Sequence, residues 1–297
     1  MYNYEIFDAH CDTLWAMVNR DCNIRKNNLN IDVERMKKYR GYTQMFACFI
    51  DPENRTNAME RFNRMADCFY SQDFSGITPI LSVESADMVR STDDVVYLYN
   101  RGVRMMTLTW NDNNQLAGGA YGNETGSNKV NPSGELTELG KAVVKKMNSL
   151  GMIIDVSHLN DKSFYEVAKI NTGALAASHS NSRLICNSER NLTDDMFKII
   201  CETGGVVGIN IYPPFLTSAD EANVKDVIKH IEHFISLGGE NNIGIGADFD
   251  GTFGKFPTDI KGCEDLHKIF DEMICLGYDN DIIEKISHKN FKRIFKR

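Results

Sequence analysis

Glu5-Ile6-Phe7-Asp8-Ala9-His10-Cys11-Asp12 is a short β-favouring run that ends in a histidine and a carboxylate two residues apart. Side chains alternate along an extended chain, so His10 and Asp12 face one way and Cys11 the other. Two groups able to ligate metal therefore converge at one strand end. The same pattern recurs: apolar runs near residues 4–10, 43–50, 77–84, 103–109, 151–157, 174–178, 205–211 and 243–248 alternate with longer amphipathic segments. Those segments, at 57–70, 92–100, 137–150, 162–169, 193–203, 224–237, 262–276 and 281–295, have helical spacing. Eight strand–helix repeats predict an α/β fold, a closed (β/α)8 TIM barrel occupying residues 1–297 as one domain.

The barrel gives position its meaning, because active sites of this fold lie at the C-terminal ends of the strands. There the sequence puts His10 and Asp12 after the first run, Glu84 after the third, Trp110 after the fourth, His158 after the fifth, His179 after the sixth and Asp248 after the eighth. His230, His233, His267 and His288 fall in predicted helices and read as packing or surface histidines. Residues 111–134, rich in Gly, Asn and Ser, are expected to form a long loop after the fourth strand.

Composition narrows the partners. The chain has 297 residues, 42% of them hydrophobic, and a net charge of -8, which disfavours a nucleic-acid surface built on concentrated Lys and Arg. No uninterrupted apolar stretch is long enough for a bilayer, and the N-terminus lacks the basic-then-apolar pattern of a secretory signal. The eight cysteines are scattered without a C-x-x-C pair. Together these lead to the expectation of a cytoplasmic protein that engages neither membrane nor nucleic acid.

Three histidines and three carboxylates suffice for two zinc-like ions, and Mn2+ or Co2+ suit the same donors. Glu84 is the candidate bridge, since a carboxylate can give one oxygen to each ion across the ~3.5–4 Å separation that two-metal hydrolysis uses. His10 and Asp12 would complete one site, His158 and His179 the other, leaving room for a shared hydroxide. Asp248, in Gly246-Ala247-Asp248-Phe249-Asp250-Gly251, is the candidate proton carrier; Asp250 is its rival if the chain stays extended. Asp8 reads as an orienting partner of the ligands.

At these residues the chain resembles the membrane dipeptidase family of zinc metallopeptidases. The matching stretches are Asp8-Ala9-His10-Cys11-Asp12, Ser82-Val83-Glu84, the run from Leu150 to His158, Ser178-His179-Ser180, Arg190-Asn191-Leu192-Thr193-Asp194-Asp195 and the run from Gly246 to Gly251, in family order. The resemblance implies hydrolysis of a dipeptide amide bond by a hydroxide bridging two zinc ions, with Asp248 in acid–base work. It also implies that Arg190 grips the substrate carboxylate, a task suited to a planar guanidinium. Without the resemblance, Arg190 pairs as readily with Asp194 or Asp195. The family often accepts a D-residue at the second position, and the resemblance leads to the expectation of a homodimer.

The chain departs from the best-known family pattern after the fourth strand, where Trp110-Asn111 stands in place of a substrate-contacting histidine. Trp110 can wall a pocket and Asn111 can donate a hydrogen bond, so the change bears on substrate scope. Tyr212 and Phe215, with the 111–134 loop, are expected to select side chains. Two alternatives frame the test. One is another binuclear amidohydrolase acting on a cyclic amide or lactone, disfavoured by His10-x-Asp12 in place of His-x-His. The other is a non-catalytic metal-binding scaffold, which would have no use for Asp248 and Arg190.

Overall fold

The computed structural model describes residues 2–20, 22–122 and 130–295. Its eight strands are β1 (Tyr2–Asp8), β2 (Tyr39–Phe49), β3 (Thr78–Glu84), β4 (Val103–Thr107), β5 (Ile153–Asp155), β6 (Leu175–Ala177), β7 (Val206–Ile209) and β8 (Ile243–Ile245). They pair in sequence order, all parallel, into a closed barrel. The seam between first and last strands is narrow, with Asp8 registered against Ile245.

Alternation along the strands builds two cores. Phe7, Met45, Met105, Ile153, Ala176 and Val206 fill the barrel, whereas Ile6, Phe46, Leu81, Val207 and Ile245 meet the surrounding helices. The N-terminal mouth is closed by the end of the chain, where Phe291 and Phe295 stack on Phe7 at 5.3 and 5.4 Å between ring centroids. The C-terminal mouth is left open for chemistry.

The strands after the third stop one to three residues sooner than the apolar runs suggest. Helix signals fare better. Ser91 and Asp94 form a capping box before the helix Thr92–Asn100, and Thr137 caps Glu138–Leu150, which ends at left-handed Gly151. The predicted 262–276 helix is instead a 3-10 turn, Cys263–Asp265, followed by a helix at His267–Cys275. The last helix carries a π turn at Lys285–Lys289. Three further short helices, Thr13–Arg20, Val33–Met36 and Pro213–Leu216, and a 3-10 turn at Pro52–Asn57 are too brief to show a periodicity.

The 111–134 loop is tied down by asparagines rather than by regular structure. Asn113 and Asn114 accept backbone N–H groups of Gly119, Leu116 and Ala117, and Ala120 N–H donates to the His158 carbonyl at 2.8 Å. Residues 123–129 of that loop lie outside the described residues. Among the described residues no helix is long and apolar enough to cross a membrane.

Candidate metal centre

The chain beyond β1 stays close to β8. Asp12 N–H donates to the Phe249 carbonyl, Asp248 N–H to the His10 carbonyl, and Cys11 bridges Phe249. Alternation therefore continues past the strand: Cys11 joins the outer core, while His10 and Asp12 turn to the mouth. Glu84 ends β3. His158 and Asp248 adopt left-handed backbone, with φ of 68° and 63°, as do Ser85 beside Glu84 and Asp250, with φ of 63° and 66°. Such conformations in non-glycine residues cost roughly 1–3 kcal/mol each and gather where a site over-determines the backbone.

The side chains converge. His10 Nε2 lies 3.1 Å from Glu84 Oε2 and 3.6 Å from Asp12 Oδ2. His158 Nε2 lies 2.8 Å from Glu84 Oε1, with His179 Nε2 3.9 Å from the same oxygen. Glu84 thus turns one oxygen toward the His10–Asp12 group and the other toward the His158–His179 group. Asp248 Oδ1 stands 3.9 Å from His10 Nε2, and Asp248 lies within 4.8 Å of both His10 and His179, so it faces both groups.

The donor set fits cations. His158 Nδ1 faces Asn111 Oδ1 at 2.9 Å, an atom that only accepts, so this nitrogen carries the proton. His179 Nδ1 faces Ser178 Oγ at 2.7 Å, and that hydroxyl donates to Asp155, so it accepts from the imidazole. Both Nε2 atoms then present lone pairs, 2.8 Å apart. Burial, reinforced by the Arg190 and His10 charges and, for His179, by His158 as well, holds both rings well below the ordinary histidine pKa and keeps them neutral. His10 Nε2 and Asp12 Oδ1 are buried without a hydrogen-bond partner. Two facing lone pairs and orphaned buried polar atoms are costly unless a positive charge satisfies them.

Charge crowding says the same. Burial, with the Glu84 carboxylate alongside, raises the Asp12 carboxyl to about 6. Asp248 rises to about 7, through burial and then the Asp12 and Glu84 carboxylates, against the pull of His10. At His10, burial opposes protonation but Glu84 and Asp12 overcome it, holding the imidazolium well above its ordinary value. Bound cations would reverse this local logic and stabilise the carboxylates.

Outside the candidate ligands, two carboxylates do the orienting. Asp155, fully buried, accepts from Thr107 Oγ1, the Ser157 and Ser178 amides and Ser178 Oγ, and so fixes the partner of His179. Asp8, expected to orient the ligands, accepts the Ala247 amide at 2.8 Å and the His10 amide at 3.4 Å, and burial lifts its pKa to about 7. The rivalry between Asp248 and Asp250 ends in the backbone. Extension fails at Asp248, and Asp250 turns away to accept from Thr13 Oγ1 at 2.5 Å and Asn30 N–H at 2.9 Å. Asp248 keeps one oxygen on Asn210 Nδ2 at 3.0 Å and presents the other to the mouth.

Arg190 pairs with neither Asp194 nor Asp195; Asp194 binds His233 instead. Its buried guanidinium lies 5.4 Å from the Phe215 ring centroid, Nη2 donates to the His179 carbonyl at 3.4 Å, and Nε has no partner. The cavity over the metal residues measures about 1160 Å³ and is lined by Trp110, Asn111, Tyr212, Phe215 and Asp248, among others. Asn111 both lines it and holds the His158 ring. Trp15, Phe49, Asp155 and Asn210 are site residues that the sequence reading misses. Their types are common in cores and loops, and only the assembled mouth brings them in. His230, His233, His267 and His288 stay away from the cluster, each bound to a carbonyl, carboxylate or aromatic neighbour.

Comparison with known proteins places these features in a lineage. The sequence model of the membrane dipeptidase family, peptidase family M19, matches residues 64–297. The chain is 33% identical over 207 residues to an uncharacterized protein from the pqqA 5' region of Klebsiella pneumoniae, covering 68% of this chain and 75% of that one. Against an uncharacterized dipeptidase of Schizosaccharomyces pombe it is 28% identical over 306 residues, covering 90% and 71%. Dipeptidase 3 of Mus musculus is 30% identical over 206 residues, which span 67% of this chain and 40% of the mouse protein. Among solved structures, dipeptidase AC, a family M19 metallopeptidase, superposes with a TM-score of 0.87 at 25% identity, covering 100% and 99%. A Rhodobacter sphaeroides metallopeptidase shares the fold at a TM-score of 0.85 and 24% identity, with the same coverage.

Proposed function

The chain belongs to the membrane dipeptidase family and is a metal-dependent dipeptidase; from that premise we propose that it works with two zinc ions and accepts dipeptides with either an L- or a D-residue at the C-terminus. The observation that carries the two-ion reading is the division of Glu84, one oxygen toward His10 and the other toward His158 and His179. His10, Asp12 and Glu84 would hold one ion; Glu84, His158 and His179 would hold the other. Bound there, the ions would supply Lewis acidity to the scissile carbonyl and bring the pKa of a water toward neutrality.

The protein's own groups do the rest. Asp248, pinned by Asn210 through one oxygen, offers the other to take the proton of the attacking water and return it to the leaving amine. Arg190, a buried cation with an unpartnered Nε, is the group for the substrate's C-terminal carboxylate. A non-catalytic scaffold would have no reason to bury that charge, which burial makes harder to keep. The cavity of about 1160 Å³ leaves room for either configuration of the second residue.

The test is hydrolysis of matched L-L and L-D dipeptides before chelation, after chelation and after restoration with Zn2+, Mn2+ or Co2+, with metal counted on the same samples. Activity is expected to vanish with chelator, return best with zinc and track about two ions per chain. Full activity at one ion per chain would overturn the two-metal reading. Turnover confined to L-L substrates would overturn the stereochemical one.

A further inference from the structure

Three half-buried aromatic rings stand together on one wall of the cavity, each brought by a different connection. Trp15 comes from the helix after β1, Phe49 from the end of β2, and Trp110 from the loop after β4. Phe49 and Trp110 lie 5.5 Å apart between ring centroids, and Trp15 and Phe49 lie 6.5 Å apart. The wall is held in place: Trp15 Nε1 donates to Asp51 Oδ2 at 3.0 Å, and Asn54 binds both oxygens of Asp51. Trp110 also comes within 6.2 Å of the His158 ring, so the wall reaches the metal residues.

Strand order fixes where this wall faces. In a barrel whose strands follow one another around the ring, β2 stands opposite β6, so the connections after β1, β2 and β4 centre on the side of the mouth facing those after β6 and β7. The latter carry Arg190, Tyr212 and Phe215. On the reading that Arg190 takes the C-terminal carboxylate, the far wall faces the other half of the dipeptide, the N-terminal residue. Rigid, partly exposed aromatic rings around a concave space favour a flat apolar guest.

We propose that Trp15, Phe49 and Trp110 form the pocket for the side chain of the N-terminal residue, and that they make the enzyme prefer dipeptides beginning with an aromatic or large apolar residue. The inference rests on the dipeptidase reading and on the assignment of Arg190. It comes with its own reporter, because the chain's 2 tryptophans are both on this wall. Intrinsic tryptophan emission is therefore a direct measure of the pocket.

The experiment compares kcat/KM of the metal-loaded enzyme on Gly-Ala, Leu-Ala, Phe-Ala and Ala-Phe. Phe-Ala is expected to exceed Gly-Ala by about tenfold or more, the scale of filling an apolar pocket, while Ala-Phe gains no comparable advantage. Phe49→Ala should bring the Phe-Ala to Gly-Ala ratio close to one. Phe49→Leu, which keeps an apolar side chain at the strand end, should give an intermediate ratio. In parallel, L-phenylalaninamide should alter tryptophan emission saturably at about one-tenth the concentration that glycinamide needs. Equal half-saturation for the two amides, or a ratio that survives Phe49→Ala, would overturn the proposal. Hydrolysis of every dipeptide without preference would sink the pocket and leave the dipeptidase reading standing. Failure to cleave any of them would strike that reading, while the amide titration would still judge the pocket.

Discussion

At Gly251 the site depends on an atom that is missing. A Cβ there would fall 2.1 Å from Asp12 Oδ2 and 2.5 Å from Asp248 Oδ1, so any side chain pushes both carboxylates off their positions. Gly251→Ala is expected to weaken metal binding by about 10–100-fold, the usual cost of displacing the support of a ligand; equilibrium dialysis against buffered zinc would measure it. Asp248→Asn is the contrasting case, since an amide fills the same space. It should keep the metal content of the parent and lower kcat by about 10²–10⁴-fold, which metal analysis alongside steady-state kinetics would establish. These neighbours also mark where sequence reading stops. His10, Asp12, Glu84, His158, His179 and Asp248 were legible because each ends an apolar run. Whether Asp248 or Asp250 faces the mouth depends on a backbone turn to positive φ at Asp248, which no alternation rule anticipates.

Elements hold the site through their polar ends as much as through their apolar faces. His230, buried on the helix Val224–Ser236, accepts the Ser182 amide through Nδ1 and meets the Leu216 carbonyl through Nε2. It thereby ties the connection after β6 to the short helix Pro213–Leu216. Burial pushes its pKa down to about 4, against the pull of the Leu216 carbonyl. An unfolded histidine titrates near ~6.5, so between the two values the unfolded chain takes a proton that the fold refuses. The stabilisation is complete above pH ~6.5 and falls away toward pH 4, by at most about 3 kcal/mol. His230→Gln can make both hydrogen bonds without titrating. Its melting temperature should fall less than the parent's between pH 7 and pH 5, as differential scanning calorimetry would show. The long helices were legible from spacing and caps. The short ones were not, because they owe their form to the connections they pack against and carry no repeating apolar stripe of their own.

The whole barrel depends on its two ends. Phe291 fills the lower mouth against Phe7 and over Gly244, where a Cβ would come within 2.4 Å of the ring. Phe291→Ala would leave a void inside a closed barrel and is expected to cost about 3–5 kcal/mol, seen as a lower urea midpoint with an unchanged slope. The barrel class was legible from eight alternating runs, whereas the plug was not, since its aromatic residues look like those of any amphipathic helix. The narrow β1–β8 seam, finally, sets a timetable for the nascent chain. The strand that brings His10 and Asp12 is made before every other strand of the barrel, whereas its closing partner and Asp248 follow all the rest. With translation at ~5–20 residues per second, His10 and Asp12 wait through the synthesis of all the intervening strands before Asp248 reaches them. The candidate ion-binding groups His10, Asp12, Glu84, His158 and His179 are thus all made before the strand that closes the barrel around them and before Asp248.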